Sequence, residues 1–126
     1  LLNVAPDARG RWDDGAYDRL AALGRWLGVC GEAIYGTRAT TPHAEGDVFF
    51  TRSKDGAVRY AILAPRQGNP PATLEIRAFT PTPGSAVRLL GHGDLSWQPL
   101  EGGGFSAVLP EDLPGEHAWA IRIVVS

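Results

Sequence analysis

Several residue types are scarce in this sequence of 126 residues, and each scarcity excludes a class of structure or function. The sequence contains one cysteine, Cys30, and no methionine. A single cysteine rules out a disulfide within the chain and a zinc site built on cysteines. Lys54 is the sole lysine and the formal net charge is −2, so no basic cluster favours nucleic acid or an anionic membrane as a partner. No apolar run approaches the ~20 residues of a membrane-spanning helix.

The overall composition of the sequence is that of a folded domain. Hydrophobic residues make up 44% of the chain and charged residues 21%, which supplies enough apolar material for a core and too little charge for a disordered chain. The length fits a single compact unit. The chain opens on the apolar run LLNV, with neither Met nor a targeting signal, so we expect it to be a piece of a longer polypeptide.

The beginning of the chain predicts a strand followed by a helix. Residues 1–4, which are followed by Ala-Pro, are typical of a buried strand. Asp13 and Asp14 are N-cap candidates for a helix that starts near Ala16, and Gly31 is a natural stop. One apolar stripe of this helix consists of Tyr17, Leu20, Leu23, Gly24 and Leu27. A strand and an amphipathic helix are half of a βαβ unit, so the stripe needs a partner larger than the helix.

From Gly46 onward, apolar and polar residues alternate with a period of two, and this pattern predicts seven strands. We expect them near residues 47–52, 57–64, 72–79, 86–91, 95–100, 105–109 and 117–125. Residues 54–56 (Lys-Asp-Gly) and 101–104 (Glu-Gly-Gly-Gly) supply hairpin turns. In the last strand, Trp119 is expected to face a core and Ala120 to face water. Such alternation is typical of an antiparallel β-sandwich.

Three stretches of the sequence resemble one enzyme family. The runs LLNVAPDARGRW and RLAALGRWLGVCGEAIYGTR are similar to the closing strand and helix of the catalytic barrel in glycoside hydrolase family 29, the α-L-fucosidases. The run VRLLGHGDLSWQPLEGGGFSAVLP is similar to the C-terminal β domain of that family. The resemblance covers nearly the whole chain, and its first 38 residues are the more specific part. Where the family often has Asn before the glycine at position 31, this chain has Cys30.

The resemblance implies a mainly β fold in two parts. An antiparallel β-sandwich of about seven strands is preceded by the last strand and helix of a (β/α) TIM-type barrel. Residues 1–36 are expected to end the barrel, residues 37–45 to form a linker, and residues 46–126 to form the sandwich.

The resemblance also implies the activity of the parent protein. It would be a retaining hydrolase that removes terminal α-L-fucose from glycans, with a carboxylate nucleophile and a second carboxylic acid about 5 Å apart. Both groups lie upstream in the family, so we expect no catalytic residue, cofactor or metal in this segment. Its expected partners are the upstream barrel, which the β domain would stabilise, and the fucosylated glycan. The alternative is a non-catalytic carbohydrate-binding or structural module.

Two residues are candidates for contact with substrate. Asn3 follows the predicted barrel strand, at the end where barrel enzymes place active-site residues. Trp97 lies on a predicted hairpin and is the best candidate for an exposed platform on which a sugar ring stacks. A structural role is the alternative for both residues. Trp26 lies beside the apolar stripe, and we place it at the interface between the helix and the β domain.

Other chemically capable residues receive structural interpretations. The acid pairs at residues 13–14 and 111–112 are read as a helix cap and a polar turn. His43, His92 and His117 lack the spacing of metal ligands. Cys30 is expected to be packed and unreactive, because the end of a helix dipole disfavours the thiolate.

Overall fold

The computed structural model describes residues 3–126, which form one α-helix followed by nine strands. Helix α1 spans Asp14–Cys30 and continues into a 3-10 turn at Gly31–Ala33. The strands are β1 (Ala44–Glu45), β2 (Val48–Arg52), β3 (Val58–Leu63), β4 (Thr73–Ile76), β5 (Val87–Leu89), β6 (Gly93–Leu95), β7 (Trp97–Pro99), β8 (Phe105–Val108) and β9 (Trp119–Val124).

Helix α1 begins and ends where the sequence predicts. Asp13 is the N-cap, and its Oδ1 accepts a hydrogen bond of 3.0 Å from the backbone N–H of Ala16. Gly31 is the C-cap in a right-handed conformation, with φ of −58°. A Cβ at this position would lie 2.9 Å from the ring of the exposed Tyr35, which would have to turn away, and no left-handed turn calls for glycine here. Cys30, with φ of −106°, therefore replaces asparagine without backbone strain.

The predicted strand at residues 1–4 is absent where the structure can test it. Residues 1 and 2 lie outside the described residues. Asn3 is exposed, Val4 is half-buried, and neither belongs to a strand. A strand depends on neighbouring strands for its hydrogen bonds, and the described part of the chain offers none to these residues.

The strands form two antiparallel sheets. The larger has the order β1-β2-β3-β9-β5-β6, and the smaller has the order β4-β8-β7. Every paired neighbour is antiparallel, which confirms the predicted class of sheet. Strand β9 is the last in sequence and lies in the middle of the larger sheet, between β3 and β5.

The core lies between the two sheets and confirms the β-sandwich. Both inner faces contribute large side chains, and the most deeply buried are Ile76, Val87, Leu89, Phe105, Ile121 and Ile123. Phe50 and Phe79 meet edge to face, with ring centroids 5.1 Å apart. On β4, Leu74 and Ile76 are buried while Thr73 and Glu75 are exposed, as the alternation predicts.

The outer face of the larger sheet is partly covered, which corrects one prediction. Ala120 was expected to face water but is fully buried. It belongs to a second apolar cluster with Cys30, Ala33, Tyr60 and Leu90. The helix end and the turn after it cover this face, so the alternation on β9 gives way to burial on both sides.

The structure has nine strands where the sequence predicts about seven. The segment predicted as one strand at 95–100 belongs to two: β6 pairs with β5 in the larger sheet, and β7 pairs with β8 in the smaller. The chain changes sheets at Ser96. Side-chain alternation runs through this change without a break, since Leu95 is buried and Trp97 is partly buried against the same core.

The predicted linker at residues 37–45 contacts the sheets. Arg38 pairs with Arg52 in an isolated bridge, and β1 pairs with β2. The carboxylate of Glu45 accepts hydrogen bonds of 2.9 Å from the backbone N–H groups of both Arg77 and Ala78. This latch joins the edge of the larger sheet to the chain that leaves β4. The division into domains at these residues stays a prediction.

We expect Glu45→Ala to lower the free energy of unfolding by about 2 kcal/mol, because hydrogen bonds to a charged group are among the stronger ones. Glu45→Gln keeps one acceptor oxygen and should lose about half as much. Urea unfolding followed by tryptophan fluorescence measures both. Glu75→Ala, an exposed change on β4, is the control and should shift stability by less than about 0.5 kcal/mol. Equal effects at positions 45 and 75 would show that the latch contributes nothing.

A second prediction concerns the turn between β7 and β8. Gly102 and Gly104 both have positive φ, of 81° and 86°. Only Gly104 lacks space for a side chain, because a Cβ there would collide with the carbonyl oxygen of Ile76 and lie 2.8 Å from Cα of Arg77. Gly102→Ala meets nothing within 4 Å and should cost about 1 kcal/mol of backbone strain. Gly104→Ala should cost about 2–4 kcal/mol in the same unfolding measurement, because overpacking adds to that strain.

Candidate functional site

Helix α1 meets the β domain through its C-terminal turns. The indole N–H of Trp26 donates a hydrogen bond of 2.9 Å to the carbonyl oxygen of Ala118, just before β9. Cys30 is buried in the cluster on the outer face of the larger sheet, beside Ala120. The interface position predicted for Trp26 is thereby confirmed.

The apolar stripe of the helix is largely uncovered in the described chain. We call the residues Tyr17, Leu20, Leu23, Gly24 and Leu27 the open helix face. Tyr17 is 51% exposed and Leu23 is 43% exposed, while Leu20 and Leu27 are half-buried. The ring of Trp12 extends this face, with its centroid 5.5 Å from that of Tyr17. The helix thus has more apolar surface than the β domain covers.

A concave apolar surface lies where the helix faces the β domain. This apolar groove, of about 960 Å³, runs between α1, the outer side of β2 and β3, and the segment before β9. Its apolar lining includes Leu23, Trp26, Val29, Ile34, Phe49 and Ile62. Polar and ionisable side chains surround it: Arg19 and Arg25 on the helix, and Glu116 and His117 on the opposite segment.

A polar network anchors the turn after α1 to the larger sheet. Glu32 Oε1 accepts a hydrogen bond of 3.1 Å from the hydroxyl of Tyr60 and lies 3.2 Å from Nε of Arg122. The Thr51 hydroxyl donates to the carbonyl oxygen of Ala33 at 2.7 Å. Burial raises the pKa of Tyr60, and the hydrogen bond to Glu32 and its negative charge raise it further. The tyrosine therefore stays a neutral donor to the carboxylate.

A second depression, of about 640 Å³, lies next to this network and is polar. Arg88 and Arg122 face each other across β5 and β9, and Arg88 Nε lies 3.1 Å from Oδ1 of Asp94. Arg122 is paired with Glu32. Each of the two arginines therefore has a carboxylate partner. The four charges cancel, and all four side chains are at least one-third exposed, so the pairs are screened by water.

The two substrate candidates do not line either depression. Trp97 is half-buried: its indole N–H donates a hydrogen bond of 3.0 Å to the carbonyl oxygen of Ser85, and its ring meets Phe105 edge to face at 6.2 Å. These contacts hold the ring against the sandwich core. Asn3 lies exposed in the segment that precedes α1. The proposed roles of both residues stay predictions.

The remaining candidates fall in structural settings. Asp13 caps the helix, and both acids at residues 111–112 are exposed in a bend. His43, His92 and His117 are exposed on separate segments. Within residues 3–126, no three side chains of His, Cys, Asp or Glu come together in a way that could hold a metal ion.

Cys30 is packed as expected, and its burial supplies a physical reason for low reactivity. Its thiol is buried, and this burial raises the pKa, while a backbone hydrogen bond from Ala120 opposes the rise. Desolvation of the buried thiol therefore disfavours the thiolate.

Sequence reasoning missed the apolar groove, although a signal was present. In a strand of period two, the adjacent residues Phe49 and Phe50 must lie on opposite faces. Phe50 is buried in the core, and Phe49 is 39% exposed on the outer face. Phe49 on a face expected to be wet was therefore the one sequence feature that pointed to an apolar surface there.

The described residues also include no helix whose length and apolar character would let it cross a bilayer.

Comparison with known proteins places these features in a larger context. No protein-family model matches the chain. Curated α-L-fucosidases match 98% of it at 30 to 35% identity. The α-L-fucosidase of Branchiostoma floridae is 33% identical over 131 residues, and the human tissue α-L-fucosidase is 34% identical over 131 residues. The chain spans 28% of the first relative and 27% of the second.

Solved structures agree with the sequence matches. The α-fucosidase of Thermotoga maritima, solved with a mechanism-based inhibitor, has a TM-score of 0.76 at 26% identity, covering 99% of this chain and 30% of that one. A family 29 α-L-fucosidase from Bacteroides thetaiotaomicron has a TM-score of 0.75 over 96% of this chain and 27% of that one, and its 21% identity shows a shared fold alone. The resemblance seen in the motifs is confirmed: in sequence and fold, this chain corresponds to the C-terminal part of the α-L-fucosidases.

Proposed function

We propose that this chain is the C-terminal part of a retaining α-L-fucosidase, which hydrolyses terminal α-L-fucose from glycans. In this proposal the catalytic carboxylates belong to an upstream barrel of the same polypeptide. Helix α1 is the last helix of that barrel, and the β domain stabilises the barrel by holding the helix from outside.

The observation that carries the proposal is the open helix face. An amphipathic helix in a globular protein packs its apolar stripe against a core. Here Tyr17 and Leu23 remain exposed although the neighbouring Trp26 and Cys30 are held by the β domain. A helix fixed on one side and apolar on another fits the outer ring of a (β/α) barrel, whose helices pack inward onto the strands.

Four of the 14 acids of this segment have structural partners. Retaining glycosidases use two carboxyl groups about 5 Å apart on either side of the scissile bond. Glu32 and Asp94 are each paired with an arginine, Glu45 is bonded to backbone N–H groups, and Asp13 caps the helix. These roles leave the four carboxylates occupied with structure.

A free-standing sugar-binding module has less support. Such a module would present an aromatic face to a sugar ring, and Trp97 is its best candidate. The contacts of Trp97 with Ser85 and Phe105 fix its ring within the sandwich instead.

We expect the full-length polypeptide to hydrolyse an aryl α-L-fucoside and to release α-L-fucose first, since two displacements retain the configuration. Proton NMR of the anomeric signals during the first minutes of reaction measures this. The 126-residue chain alone serves as the matched control and should give no turnover. Initial release of β-L-fucose, or turnover by the 126-residue chain, contradicts the proposal.

Substitution of Trp97 separates a structural role from a binding role. Trp97→Ala should lower the free energy of unfolding by about 2–3 kcal/mol through lost packing, and Trp97→Phe by about 1 kcal/mol through the lost indole hydrogen bond. In the full-length enzyme, KM for the aryl fucoside should change less than twofold in both variants. A large rise in KM at unchanged stability would favour the sugar platform.

A further inference from the structure

We infer that four basic side chains at one end of the β2–β3 hairpin form a binding site for a short saccharide that carries sulfate or carboxylate groups. We call Arg38, Arg52, Lys54 and Arg59 the basic cluster. The preference for an anion rests on the cluster alone, and the choice of a saccharide as its carrier rests on the proposed function.

The fold gathers the basic cluster from separate positions in the sequence. Arg52 on β2 pairs with Arg59 on β3, and Arg38 pairs with Arg52 through the isolated bridge. Residues directly opposite each other in antiparallel strands place their side chains on the same face. The three guanidinium groups therefore belong to one row, and Lys54 is exposed in the turn that joins Arg52 to Arg59. The cluster appears only when the strands pair, so the sequence pattern does not reveal it.

The basic cluster lacks acidic partners in the described chain. Within residues 3–126, none of its four side chains forms an ion pair with a carboxylate, whereas Arg66 and Arg88 each do. The acid of the same turn is Asp55, whose Oδ1 accepts a hydrogen bond of 2.6 Å from the hydroxyl of Ser53. Four positive charges thus stand against one negative charge. Like charges directly opposite each other destabilise a sheet, and a bound anion would offset that cost.

Backbone carbonyl groups hold two of the guanidinium groups in place. Nε of Arg52 donates a hydrogen bond of 3.1 Å to Ala39, and Nη1 of Arg59 donates one of 3.0 Å to Gly56. A Cβ on Gly56 would lie 4.0 Å from Nη1 of each arginine, so these two nitrogens are at most twice that distance apart. Their fields add, because salt screens charges only beyond about 8 Å under physiological conditions. Both side chains are half-buried, so an anion would find them already ordered.

The arrangement fits oxyanions on a short chain. The guanidinium fork matches the oxygen geometry of carboxylate and sulfate groups. Neighbouring strands lie about 4.8 Å apart, so the row of three arginines spans about 10 Å, enough for more than one anionic group. The formal net charge of the chain is −2, so a long polyanion such as nucleic acid would meet repulsion away from the cluster. A short anionic saccharide contacts the cluster alone.

The test measures the affinity of the full-length polypeptide for maltohexaose, in sulfated and unsulfated forms, by isothermal titration calorimetry. We expect only the sulfated form to bind. The double substitution Arg52→Gln and Arg59→Gln should weaken binding about tenfold, and it should lower the slope of log affinity against log salt concentration by about two.

Two further variants control for net charge and for folding. Arg66→Gln combined with Arg88→Gln removes the same charge from exposed arginines that have carboxylate partners, and it should change the affinity less than twofold. Lys54→Glu reverses a charge in the exposed turn. It should weaken binding about threefold at an unchanged Tm, so the inference stays testable if the first double variant is unstable.

Each other outcome overturns the inference. Equal affinity for the two forms of the saccharide, no binding of the sulfated form, or equal losses in the two double variants shows that the basic cluster binds no anionic saccharide. Tighter binding of a short DNA duplex assigns the cluster to nucleic acid instead. Hydrolysis of an aryl fucoside by the full-length protein is scored separately. An active enzyme that does not bind the sulfated form loses this inference alone, and an inactive protein that binds it loses the fucosidase proposal alone.

Discussion

The contact between the end of α1 and the outer face of the larger sheet fixes where the helix lies relative to the sandwich. Trp26 bonds to the backbone just before β9, Cys30 packs at Ala120, and Glu32 ties the following turn to Tyr60 and Arg122. One short contact thus combines apolar burial with charge-assisted hydrogen bonds. It sets the direction in which the helix leaves the β domain.

The larger sheet is consequently a shared layer. Its inner face builds the sandwich core with the smaller sheet, and its outer face receives the helix end. Ala120 and Ile121 are neighbours on β9, and each is fully buried on its own side. Antiparallel sheets with one wet face are common, so coverage on both sides is a sign of assembly with something outside the sandwich.

Local chemistry determined the parts of the fold that the sequence predicts well. Asp13 caps the helix whatever lies around it, and the hairpin turn at residues 54–56 follows from its glycine. The switch of sheets at Ser96 has no such signature, because alternation continues across it. The latch at Glu45 joins residues 32 positions apart or more, a distance over which periodicity carries no information. The adjacent phenylalanines of β2 were a partial sign of the groove in the sequence. Its shape could not be predicted, because it depends on where α1 lies.

The position of β9 affects how the chain assembles. Strands β2 and β3 form one hairpin and β5 and β6 another, and β9 pairs with β3 on one side and β5 on the other. Until β9 pairs with both, the larger sheet is two separate ribbons with open edges. Contacts between residues so distant in sequence slow folding. A nascent or truncated chain that stops before Trp119 therefore presents unpaired edges that invite aggregation, even though it already contains eight of the nine strands.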